Sequence, residues 1–110
     1  MARLTSDFWV RAYIRRLQIA AIPVYVTRKG DEIAGAIVVK LLRPGGQAEA
    51  LERSFDLQTG QRCWVTLAQG ENAAVDAVLA RACARDPDLW LIEVESDDGG
   101  GLLDEPGLTD

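Results

Sequence analysis

No histidine occurs anywhere in the chain. That absence removes imidazole acid–base catalysis, the Ser-His-Asp and Cys-His nucleophiles, and nearly every zinc site, since the two cysteines, Cys63 and Cys83, cannot close a tetrahedral shell alone. Two cysteines are also too few for a disulfide framework, and they are expected as reduced, buried thiols. Long apolar runs are missing as well. The longest uncharged one, residues 19–26, contains Pro23 and is far shorter than the roughly 20 residues a membrane helix needs. Asp7, Arg11, Arg15 and Arg16 interrupt the first segment, so it does not read as a signal peptide. A cytoplasmic protein without membrane contact is expected. Gly45-Gly46, Gly60 and Gly70 lack the Lys and Ser/Thr of a phosphate loop, and no cofactor or metal is expected.

What is present suits one ordinary domain. The chain has 110 residues, 48% hydrophobic and 26% charged, enough to bury a core without staples. The net charge of −5 is unevenly spread: residues 1–29 carry six basic residues and the single acid Asp7, and the remainder is strongly acidic.

Thr5 and Ser6 are good N-caps and Asp7 suits a first turn, so a helix is predicted from there to about Ile19. Residues 24–28 read as a strand and Lys29 to Glu32 as a turn. Residues 34–42, apolar except at Gly35 and Lys40, read as a strand buried on both faces. Leu51, Arg53, Phe55 and Leu57 alternate with polar residues, a half-exposed strand in which Arg53 is the odd member of an apolar row. Residues 63–67 make a fourth strand. A helix follows to about Arg85, with Val75, Val78, Leu79 and Ala82 inward, and Pro87 ends it. In the last strand, residues 89–95, Trp90, Ile92 and Val94 point opposite to Leu89, Leu91, Glu93 and Glu95. The order αββββαβ predicts an α+β domain over residues 1–95 with a mostly antiparallel sheet of about five strands. Residues 96–110, acidic and glycine-rich with little to bury, are expected to be a disordered tail.

The stretch DFWVRAYIRRL holds three of the seven aromatics together with three arginines. Val10, Tyr13, Ile14, Leu17 and Ala21 share one helical arc, which is the expected core stripe. Phe8, Ala12 and Ile19 fall opposite it, with Arg11, Arg15 and Arg16 around them. An apolar centre with an arginine rim is a composition interfaces prefer, so Phe8, Arg11, Ala12, Arg15, Arg16 and Ile19 form the candidate binding surface. Its expected partner is another protein or a second copy of the chain. The alternative is nucleic acid, with the basic residues on phosphates and Phe8 or Trp9 stacked on bases.

Chemistry has fewer candidates. An Asp with a Glu-x-Lys unit would suggest a metal-dependent nuclease, with Asp31 or Glu32 and Lys40 in the parts, but Val38 stands where the second acid is needed, and Lys40 reads as a strand-end charge. Glu93 and Glu95 share a strand face and form a weak candidate acidic pair, more simply an outward polar edge. No catalytic residue is assigned. Residues 3–10, Arg15-Arg16, Ala34-Gly35-Ala36, Lys40, and Asp86 to Trp90 leading to Glu93 and Glu95 together resemble an uncharacterised family of short bacterial proteins, a domain of unknown function (the 1491 family), over residues 3 to about 95. The resemblance implies no activity, ligand or catalytic residue. A non-enzymatic binding protein is therefore the functional expectation.

Overall fold

Thr5 caps the first helix: its hydroxyl accepts from the Phe8 N–H at 3.2 Å, and Asp7 occupies the first turn. A computed structural model describes residues 4–96 and 101–103, and in it this helix, α1, spans Ser6–Ile19. It closes in a Schellman motif. The Ile22 N–H donates to the Leu17 carbonyl and the Ala21 N–H to the Gln18 carbonyl, while Ile22 packs on the same apolar cluster as Leu17. Ala21 is exposed and stands at φ 58°, the left-handed conformation that suits glycine. Ala21→Gly is expected to stabilise the fold by about 0.5–1 kcal/mol, the left-handed strain relieved less the extra entropy glycine loses. A urea midpoint that rises at unchanged slope is the check.

The strands are β1 (Val24–Arg28), β2 (Ile37–Arg43), β3 (Gln47–Phe55), β4 (Arg62–Glu71) and β5 (Trp90–Glu95), with helix α2 (Asn72–Arg85) between the last two. They form one sheet in the order β1-β5-β2-β3-β4. Three ladders are antiparallel, but β2 and β5 run parallel, so the sheet is mixed. The turn after β1 does not join neighbours, because β5, the last strand made, inserts between β1 and β2.

β2 is apolar on both sides apart from Lys40, β5 is apolar on the side of Trp90, Ile92 and Val94, and each side of the sheet receives one helix. On one face Trp9, Tyr13 and Leu17 of α1 meet Ile37, Val39 and Leu41 of β2 and Trp90, Ile92 and Val94 of β5. On the other, Val75 and Leu79 of α2 meet Val38, Ala48, Ala50 and Leu89. The alternation along β5 is as the period-2 pattern predicts. In α2, Val78 and Ala82 are only half-buried. The core stripe of α1 is rotated by about 40° from the expected arc. Ser6, Trp9, Val10, Tyr13 and Leu17 are buried, Ile14 is half-buried, and Ala21 lies beyond the helix. Trp9 thus belongs to the core. Cys63 and Cys83 are free and half-buried rather than fully buried.

Part of the expected tail also joins the core. The Ser96 N–H donates to the Leu42 carbonyl, the Tyr13 hydroxyl donates to the Gly101 carbonyl at 2.7 Å, and Leu103 is buried in the α1-side cluster. Acidic composition concealed one apolar anchor. The rest of the tail expectation, residues 97–100 and 104–110, lies outside the described residues.

Candidate functional site

The outward face of α1 centres on Phe8, Arg15 and Ile19. Phe8 is 53% and Ile19 73% exposed, and they stand eleven residues apart, about 16 Å along the helix. Arg15 is exposed between them, whereas Ala12 and Arg16 are half-buried along one flank. Arg11 pairs with Asp7 at 3.0 Å, one turn earlier. The six candidate residues therefore share a helix surface, but only Phe8, Arg11, Arg15 and Ile19 are fully on the outside. Trp9, inside, is not available to stack on a base.

Glu93 and Glu95 project from the α2 side of the sheet, and Glu93 has a partner that the sequence did not suggest. Lys40 lies mid-strand in β2, level with Glu93 in the parallel β2–β5 register. Its side chain is 4% exposed, and Nζ donates to Asp76 Oδ1 at 2.6 Å and to Glu93 Oε1 at 3.2 Å. Lys40 is therefore a buried link from the sheet to α2, not a strand-end charge, because β2 continues to Arg43. Burial alone would lower its pKa. The hydrogen bonds to Asp76 and Glu93 outweigh that and hold it above the usual lysine value. A lysine so held is a cation and not a nucleophile. Glu95 is exposed at the strand end. Among the described residues no cluster of three or more His, Cys, Asp or Glu could hold a metal ion.

A third place was signalled only by Arg53, the odd residue in its row. On the α1 side of the sheet the Arg53 guanidinium lies 5.2 Å from the Trp9 ring centre, and Arg62, level with Phe55 across the β3–β4 ladder, lies 4.2 Å from that ring. Trp9 in turn stacks on Tyr13 at 4.9 Å and meets Trp64 at 5.5 Å. Beside these arginines opens a cleft of about 440 Å³, floored by Ile37 and walled by Leu4, Ile33, Ala34 and Phe55. Its far side is braced where the start of α1 meets the 31–36 loop. The Ser6 N–H donates to the Ile33 carbonyl, the Asp7 N–H to the Glu32 carbonyl, and the Ser6 hydroxyl to the Gly35 carbonyl at 2.6 Å. That loop also grips the 86–90 segment: Trp90 Nε1 donates to the Asp31 carbonyl and the Asp31 N–H to the Asp88 carbonyl. The stretches 4–10, 34–36 and 86–90, distant in sequence, thus converge at this corner.

Architecture and site together define an α+β protein with one helix on each face of a mixed sheet, a buried lysine link and an arginine-edged cleft. The chain belongs to the DUF1491 family, described as a protein of unknown function, whose model matches residues 4–104. That span takes in the 101–103 anchor. A crystal structure of a DUF1491 family protein from Caulobacter crescentus CB15 is 37% identical with a TM-score of 0.83, covering 94% of this chain and 98% of that one. An NMR structure of a DUF1491 family protein from the same organism is 35% identical at a TM-score of 0.81, covering 96% and 97%. The solution structure of protein Atu0922 from A. tumefaciens is 32% identical at a TM-score of 0.73, covering 87% and 88%. No curated protein matches the chain. No helix among the described residues is long and apolar enough to cross a membrane.

Proposed function

We propose that this is a non-enzymatic cytoplasmic binding protein that engages another protein, most simply a second copy of itself, through the outward face of α1. The observation that carries the reading is the exposure of Phe8 and Ile19 on either side of Arg15, on a helix whose core needs are already met by Ser6, Trp9, Val10, Tyr13 and Leu17. Large apolar side chains flanking an arginine suit a protein interface, where they bury area and the guanidinium supplies directional contacts. In a symmetric dimer the same patch would meet itself.

The test is light scattering on the full chain, with Arg15→Glu combined with Ile19→Asp. Both positions are exposed, so the fold should hold while association weakens by at least about tenfold, the effect of losing roughly 1.4 kcal/mol at an interface. Wild type that stays monomeric at about 1 mM, or a variant that associates as wild type does, refutes the dimer reading. Binding of single-stranded nucleic acid that falls steeply with salt and is lost in the variant would replace it with the phosphate-binding alternative.

A further inference from the structure

We infer that β4, the outer strand at one edge of the sheet, pairs antiparallel with β4 of a second copy of the chain, so that two five-stranded sheets join across a two-fold axis. This goes beyond the α1 proposal, because the edge of β4 and the outward face of α1 are separate surfaces, and either can be disabled without the other.

Three observations lead there. The first is the contrast between the two edges of the sheet. An edge strand leaves alternate N–H and C=O groups without a ladder, and proteins blunt such edges with short strands, prolines, lysines and bulges. β1 is blunted in this way. It has five residues, follows Pro23, bulges between Val26 and Arg28, and has the Thr27 hydroxyl turned back to the Leu91 carbonyl. β4 has ten residues with no proline or lysine, and among the described residues its ladder is with β3 alone.

The second is what the edge exposes. Val65 is 49% and Leu67 40% exposed, with the exposed Thr66 between them. Side chains of this kind suit a pleated surface covered by a neighbouring strand. Apolar surface also continues onto α2. Asp76 reaches towards Lys40 on β2, so the flank of α2 half a turn away, with the exposed Ala74 and the half-buried Val78, overlooks β4.

The third selects a second copy over a strand of another protein: β4 matches itself. Leu67 is the extra residue of a bulge, opposite no residue of β3, and it shifts the alternation of side chains by one. Residues 62, 64, 69 and 71 therefore lie on the α1 side of the sheet, and residues 63, 65, 68 and 70 on the α2 side. Placing the axis between Thr66 and Leu67 sets Arg62 opposite Glu71 of the second copy, Cys63 opposite Gly70, Trp64 opposite Gln69 and Val65 opposite Ala68. Every one of these pairs shares a face, as antiparallel strands require. A shift of one residue sets α1-side residues against α2-side ones, and a shift of two leaves the bulges unmatched.

Charge agrees with this register. Arg62 and Glu71, at opposite ends, are the two charged residues of β4, and antiparallel pairing brings unlike ends together. Arg62 keeps its seat on Phe55, since the match is one of sign along the strand and asks for no new hydrogen bond. Parallel pairing in register would set like against like.

The experiment is sedimentation equilibrium of the full chain. Wild type should dimerise, and Val65→Lys combined with Leu67→Lys should weaken association by at least about tenfold while the circular-dichroism spectrum is unchanged. A dimer that survives Arg15→Glu with Ile19→Asp but is lost in the β4 variant belongs to this edge. The reverse pattern assigns it to α1 and overturns the inference. Hydrogen exchange on wild type needs no variant: alternate amides of β4, and not those of β1, should slow about tenfold or more between about 10 μM and about 1 mM protein. Exchange of β4 that is independent of concentration overturns the pairing. Wild type that stays monomeric at about 1 mM leaves the edge to a strand of another protein and overturns the second copy as its occupant.

Discussion

Gly35→Ala is expected to cost about 3–4 kcal/mol and to lower the melting temperature by about 15 °C or more. The cause is space and not backbone conformation. A methyl group at residue 35 would run into the Asp88 carbonyl oxygen and approach the Asp31 carbonyl oxygen and nitrogen to 2.8 and 2.9 Å, all main-chain atoms. No rotamer change moves them aside. Asp31 and Asp88 are joined by a main-chain hydrogen bond, Asp31 is held by Trp90 Nε1, and the Gly35 carbonyl holds Ser6 at the first turn of α1. Making room means parting α1 from the 86–90 segment. A total stability of roughly 5–15 kcal/mol leaves little after such a loss. Gly30→Ala, whose methyl group would also meet the Asp88 oxygen, should behave alike. Thermal unfolding followed by circular dichroism decides the matter, and a Gly35→Ala protein melting within about 5 °C of wild type would show that the loop yields more easily than its bonds suggest.

The second large effect belongs to Lys40. Lys40→Glu sets a third carboxylate between Asp76 and Glu93 at a buried position, and a loss of about 4 kcal/mol or outright failure to fold is expected. Lys40→Met keeps the packing and removes only the charge. Because the Asp76 side chain is 55% exposed and can turn to water, the cost should be about 1–2 kcal/mol. Equal losses in the two variants would mean that packing, not charge, governs the site.

Alkaline pH probes the same link. Lys40 has its pKa raised in the folded state, so its contribution is complete below the ordinary lysine value of 10.5 and fades as pH climbs through the folded value. Tyr13 acts in the same direction. Burial raises its pKa, so above the ordinary 10.0 the unfolded chain releases a proton that the folded one keeps. Two such groups give a slope of up to about 2.7 kcal/mol per pH unit above pH 10, and little change from these groups below it. Tyr13→Phe should remove about half of that slope, read from urea unfolding at stepped pH.

These two residues show what the sequence made legible. β2 stood out because Ile37, Val38, Val39, Leu41 and Leu42 are apolar without alternation, the mark of a strand covered on both faces. Lys40 within that run was visible, but its partner Asp76 lies on a helix thirty-six residues later, and no local pattern predicts which helix covers which face. The elements and their order were legible for the same reason that the sheet order was not: periodicity is local, whereas the insertion of β5 between β1 and β2 depends on which apolar faces find each other. On α1 the polar-looking Ser6 turned inward because its hydroxyl has the Gly35 carbonyl to bond, and that rotated Trp9 into the core with it. Arg53 carried the one usable hint of the cleft. A cation in an inward row next to a strand bearing Trp64 calls for an aromatic partner, yet nothing in the row says that the partner is Trp9 or that a hollow lies beside it. The candidate surface on α1 was half-legible, since the pattern separates inside from outside but does not say that Arg11 spends its charge on Asp7.

The position of β5 also bears on how the chain is born. A ribosome delivers the protein from its first residue, and β1, which pairs only with β5, must wait without a ladder until residues 90–95 appear. α1 waits too, because half of its cover comes from Trp90, Ile92 and Val94, and Leu103 arrives later still. The nascent chain therefore has an amphipathic helix and an unmated strand to shield until residues 90–103 have emerged. Folding should then occur as one event once β5 and Leu103 have emerged, at the slow rate expected of a sheet built from distant pairings, and a chain cut before β5 is expected to be a substrate for chaperones and proteases instead of a partly folded protein.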